Sequence, residues 1–122
     1  MKKIDIKYLG IPNICFSLTD KNDDREKEYV KQRIERGFDD SETWSLGDTI
    51  ANFIVPRLEL YIELASQHII IKDDFKEGIE SFLDAMKLLS RDNGIRIFND
   101  KEKERVEKGL KAFPNIFYGL WW

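Results

Sequence analysis

Between Ser45 and Ala65 the large apolar residues Leu46, Ile50, Phe53, Ile54, Leu58, Tyr61 and Ile62 recur in steps of three and four, and Ala65 continues the pattern. That rhythm lines one face of an α-helix over about five turns and does not fit the alternation of a strand. Ser45 with Asp48 three residues on has capping-box spacing, so a helix start is expected there. Pro56 lies well inside the run. It lacks an N–H and crowds the carbonyl of Asn52, so a kink is expected between Asn52 and Pro56. A helix this long draws its stability from elements that cover its apolar face, and the rest of the chain must supply them.

Three more helices are legible. Asp23 or Asp24 is expected to cap the first, which Gly37 ends. Its apolar residues Tyr29, Val30, Ile34 and Phe38 make only a thin stripe among balanced charges, the pattern of a solvated helix. "SQHIIIKDD" breaks the period and reads as a loop, after which Asp73 or Asp74 caps a helix carrying Phe75, Ile79, Phe82, Leu83, Met86 and Leu89. "RDNG" ends it, and Ile95, Ile97 and Phe98 are expected to tuck into the core. Asn99 with Glu102 repeats the capping pattern before a last helix with Val106, Leu110 and Phe113 inward, which Pro114 kinks or ends. Residues 3–9 alternate like a strand, but no second strand appears to pair with it. The expected fold is all-α: a single-domain bundle of about four helices (23–122) behind a short extended arm (1–22).

The charge balance narrows the partners. Twenty basic and 23 acidic residues leave −3, which argues against broad nucleic-acid binding through a basic field. Cys15 is the only cysteine, so no intrachain disulfide can form. No stretch approaches the roughly 20 apolar residues of a membrane span, and a cytosolic setting is expected.

Catalytic chemistry is scarce. His68, beside an Ile-Ile-Ile run, has no second His for a zinc set and is expected on the surface or in a loop. The seven glycines are dispersed and form no phosphate loop. Asp39, Asp40, Glu42 and Asp48 fall within ten residues, a density that would suit a hard cation and a metal-dependent hydrolase. They suit helix caps better, with Asp39 or Asp40 capping a short "SETW" turn. Trp44 stands where a hydrophobic staple would pack into the core, or where a partner would bind. In the tail "FYGLWW", two adjacent tryptophans cannot both enter one core, so one is expected at the surface or in a contact between copies.

The block "RGFDDSETWSLGDTIANFIVPRLELY" (36–61), with "FLDAMKLL" and "EKGLKAFPNIFYGLWW", resembles a family of small phage and prophage proteins. The resemblance covers roughly residues 33–122 and rests on the order and spacing of Trp44-Ser45-Leu46 and Pro56-Arg57-Leu58. Gly47 stands where the family usually has an acid, with Asp48 one place later. What the resemblance implies is a phage or prophage origin and an all-helical fold; it names no reaction. The expectation is a non-enzymatic accessory binding protein acting in the host cytoplasm, as an anti-defence inhibitor or by sequestering a small signal; the alternative is a self-associating structural or assembly protein. Candidate binding residues are Arg36, Asp39, Asp40, Trp44 and Arg57 in the block, and Trp121 and Trp122 in the tail. No cofactor or metal is expected. The expected partners are a host or phage protein or a small nucleotide-like signal, together with further copies of the chain and no membrane.

Overall fold

The computed structural model describes Lys7 and residues 14–90 and 97–122. It is all-α, with four helices: α1 (Glu26–Arg36), α2 (Leu46–His68), α3 (Asp73–Leu89) and α4 (Asp100–Ile116). Short 3-10 turns cover Asp40–Thr43 and Phe117–Gly119, and no strand occurs among the described residues. The alternating stretch 3–9, apart from Lys7, and "RDNG" with Ile95 lie outside the described residues. No helix is long and apolar enough to cross a membrane among those described.

Helices α2, α3 and α4 share one apolar core. Ala51 and Leu58 of α2 meet Ile79, Phe82, Ala85 and Met86 of α3 and Ile116 of α4, with Ile54, Tyr61, Phe75 and Phe113 packed around them. The Phe82 and Phe113 rings stack at 4.6 Å. The α3–α4 pair is drawn close by a glycine. A Cβ built on Gly109 would lie 2.3 Å from the Ala85 Cβ and 2.4 Å from the Ser81 carbonyl oxygen. This crossing turns Gly109 inward and leaves Leu110 about half exposed, contrary to the inward position expected for it. On the rim, Arg105 grips Asp84 with bonds of 2.8 and 2.5 Å.

Several helix ends follow the sequence rules. Gly37 takes φ 89°, the left-handed region that glycine enters without penalty, and its N–H bonds the Arg33 carbonyl at 2.8 Å. Asn99 and Glu102 exchange capping bonds of 2.8 and 3.0 Å. Other ends depart from them. Ser45 precedes α2 but makes no side-chain cap bond, because φ −130° and ψ 73° hold it away from the extended geometry a capping side chain needs. Thr49 Oγ1 instead donates back to the Glu42 carbonyl at 2.8 Å. Asp73 and Asp74 form the first turn of α3 rather than its cap. Arg25, and neither Asp23 nor Asp24, stands at the cap of α1 and makes no side-chain cap bond; Asp23 instead accepts the Arg25 N–H at 2.9 Å, and the side-chain bonds from Arg25 hold its carboxyl at about 2.

α2 runs unbroken through Pro56 and on to His68, so the first residues of "SQHIIIKDD" are helical. The helical stretch likewise passes Pro114. Ile97 stands exposed instead of tucking inward. The tail is tied to α2 by the Tyr61 hydroxyl, whose single O–H is shared between the carbonyls of Gly119 and Trp121 at 3.2 and 3.1 Å.

None of the α1 side chains belongs to this apolar core. The buried residues of α1 are Glu26, Tyr29 and Arg33, and two of the three are charged. The first helix is therefore held to the molecule by different physics from the other three.

Candidate functional site

The Arg33 side chain is the hub of a polar corner. The residue is 1% exposed, and Asp39, the cap of the Asp40–Thr43 turn, is 0% exposed. The guanidinium bonds the Asp39 carboxylate with one nitrogen and the Glu26 carboxylate with the other. It also donates to Ser17 Oγ at 3.1 Å. Two buried carboxylates around one buried cation satisfy the rule that charge enters a protein interior only when paired and hydrogen-bonded.

The same network sews the segment 16–19 to the corner. The Phe16 N–H donates to Glu42 Oε1 at 2.9 Å, and the Leu18 N–H donates to Ser41 Oγ at 2.9 Å. Thr19 Oγ1 donates to the second Glu26 oxygen. Within the turn, Asp39 accepts the Ser41 N–H and hydroxyl at 2.9 and 2.5 Å, while Glu42 accepts the Asp39 N–H at 2.7 Å. Asp39 and Glu42 thus form the capping box of the short turn and also reach the chain on either side.

Burial pushes the Asp39 carboxyl upward, but the bonds from Ser17, Ser41 and Arg33 outweigh it and leave the pKa below the ordinary 3.8. A folded-state pKa lower than the unfolded one contributes stability above the unfolded value, lost as pH falls through the folded one. Protection of the Phe16 and Leu18 amides, followed by NMR hydrogen exchange, is therefore expected to stay level above about pH 5 and to fall below about pH 4. A profile flat down to about pH 2, or a loss beginning near pH 6, contradicts this assignment.

Against this corner lies an apolar cleft of about 440 Å³. Ile14 and Phe16 from the sewn segment, Phe38 after α1, and Leu46, Ile50 and Phe53 from α2 supply its walls. Phe38, Leu46, Ile50 and Phe53 are about half exposed, although the last three fit the apolar rhythm expected to face the core. Two guanidiniums lie over the aromatic walls, Arg36 at 4.6 Å from the Phe38 ring and Arg57 at 3.9 Å from the Phe53 ring. No protein-family model, curated protein or solved structure matches the chain. The geometry alone carries the reading of this face.

The candidate residues separate into two groups. Arg36, Asp39 and Asp40 gather at the corner, with Arg36 paired to Asp40 at 2.8 Å in the open and Asp39 turned inward to Arg33. Bonds from Arg36 and Gln32 hold the Asp40 carboxyl below its ordinary value. The acids thus diverge, and among the described residues no three His, Cys, Asp or Glu side chains converge as a cation site. Trp44 is half exposed instead of stapled into the core, lying under the Arg25 guanidinium at 4.7 Å and edge-on to Tyr29 at 6.2 Å. Trp121 and Trp122 are both more than half exposed, and Trp122 stacks on His68 at 4.5 Å. His68 ends the 23-residue α2 and Trp44 precedes its start, which puts the two groups about 35 Å apart along that helix. They do not form one site.

Arg33, Glu26, Ser17, Thr19 and Ser41 carry the corner, and sequence patterning had passed over all five. One signal was available: Glu26, Tyr29 and Arg33 share one face of α1, so the buried stripe holds an acid and a base beside its aromatic.

Proposed function

We propose that the chain is a non-enzymatic protein-binding accessory factor, and that the cleft beside the polar corner is its docking face. The observation that carries this reading is the apolar cleft itself, walled by half-exposed Phe38, Leu46, Ile50 and Phe53, with Phe16 tied to the polar corner on one side and α2 packed into the bundle on the other. Half-exposed aromatic and aliphatic side chains around a concave surface suit an apolar anchor from another protein. A nucleotide-like signal is served less well, since Glu42 lines the cleft while the guanidiniums of Arg36 and Arg57 lie against the Phe38 and Phe53 rings, with Arg36 already paired to Asp40. The resemblance of block 36–61 to phage and prophage proteins supports a phage setting, with the host cytoplasm as the compartment and a host or phage protein as the partner.

Phe38→Glu tests the docking face, because it places a charge in the cleft at an exposed position outside the helices. Tagged wild-type protein is expected to retain a partner from host lysate, and the variant to lose at least about 90% of it with its helical signal unchanged. Equal retention by both proteins contradicts the assignment.

A further inference from the structure

α2 is apolar on two faces. The first, through Ala51, Leu58 and Ala65, is buried. The second runs through Leu46, Ile50, Phe53, Arg57 and Leu60 in steps of four, three, four and three. The four apolar members are 53, 52, 45 and 52% exposed, so this second stripe is half open along its length, with the Ile14, Phe16 and Phe38 walls of the cleft beside its first part. Alternate steps of four and three are the 3.5-residue repeat of a seam between two helices, about 120° around α2 from the buried face. We propose that a second copy of this chain covers that stripe, with the two α2 helices antiparallel about a twofold axis at Phe53. The proposal rests on the reading of this face as a docking surface, and a second copy seated there competes with any other protein for Phe38, Ile50 and Phe53.

The stripe is centred on Phe53. An antiparallel pair about that point sets Leu46 against the partner copy's Leu60 and Ile50 against its Arg57, with the two Phe53 rings meeting on the axis. A parallel pair would instead set Arg57 against its own copy and bring like charges together. Arg57 already lies over the Phe53 ring, donating to the Phe53 carbonyl at 2.8 Å, so its stem and guanidinium offer contact area at the seam. A twofold interface requires a self-complementary surface, and this stripe meets the requirement with its ends exchanged.

The area is sufficient. Half-exposed side chains of this size offer roughly 100 Å² each. The stripe with Ile14 and Phe38 beside it therefore presents on the order of 600 Å² per copy. Two such faces total about 1,200 Å², where stable interfaces begin, and each alone reaches the upper end of what a monomer leaves exposed.

Sedimentation equilibrium with directed cross-linking tests this. Wild-type protein is expected to sediment at twice its 14.5 kDa chain mass at about 10 µM. Leu60→Glu, on the stripe but outside the cleft lining, is expected to weaken the dimer on the order of 100-fold, because each dimer carries the change twice. Ile50→Glu is the second variant and is expected to act alike. In a Cys15→Ser background, Leu46→Cys mixed with Leu60→Cys is expected to form a disulfide-linked pair that neither gives alone. A wild-type monomer at about 100 µM overturns the proposal, as does a dimer indifferent to both charged variants or a Leu46→Cys chain that cross-links to itself. The docking reading fails separately, when Phe38→Glu and wild type retain the same lysate proteins. A monomer whose lysate partner is lost with Phe38→Glu overturns the second copy and leaves that reading standing.

Discussion

An Arg33→Met variant is expected to keep the α2–α4 bundle folded and to lose the corner. Methionine keeps much of the side-chain stem but removes the cation, leaving the Glu26 and Asp39 carboxylates buried without their charge partner. Breaking a buried ion network by removing one member costs about 3–5 kcal/mol. The corner has no share in the apolar core with which to absorb that loss. Circular dichroism should therefore lose the contribution of the 11-residue α1 and little more, with the urea midpoint of the remaining helices unchanged. A single transition in which all helical signal falls together would show that the corner and bundle are one cooperative unit.

Gly109→Ala is expected to do the reverse. Alanine improves helix propensity by about 1 kcal/mol at an unconstrained site, yet here the added carbon meets the Ser81 carbonyl oxygen at 2.4 Å. A backbone atom cannot rotate aside, so α3 and α4 must separate and the Phe82–Phe113 stack must loosen. Overpacking of this kind costs about 1–3 kcal/mol or more and outweighs the propensity gain. The net loss expected is about 1–2 kcal/mol, a fall in Tm on the order of 5–10 °C by calorimetry. An unchanged or raised Tm contradicts the close approach assigned to Gly109.

The bundle was legible because its signals are local. The three-and-four spacing of Phe75, Ile79, Phe82 and Met86 marks the face that α3 buries, and the Asn99–Glu102 pair marks where α4 begins. Asp39 was readable as the cap of a short turn for the same reason. Arg33 was not, since a buried arginine and a solvated one look alike on a helix crowded with charges. What distinguishes it is the company of Asp39 and Ser17, six and sixteen residues away, and only the folded chain brings them together. The exposed stripe on α2 was hidden differently. Leu46, Ile50 and Phe53 satisfy the helical period as well as Leu58 does, and periodicity does not say how many faces of a helix the rest of the chain will cover. Trp44 follows from the same limit, because its staple position is local whereas the Arg25 guanidinium that covers it comes from another element.

A buried polar network, separate from the apolar core, holds the corner and ties the Phe16 side of the cleft to it. Amide hydrogen exchange in wild type and Arg33→Met, resolved by residue, measures this most directly. The Phe16 and Leu18 amides, bonded to Glu42 and Ser41, are expected to lose their protection in the variant while those of Ile79, Phe82 and Met86 keep theirs. Unchanged protection at Phe16 and Leu18, or an equal loss throughout α3, would contradict it.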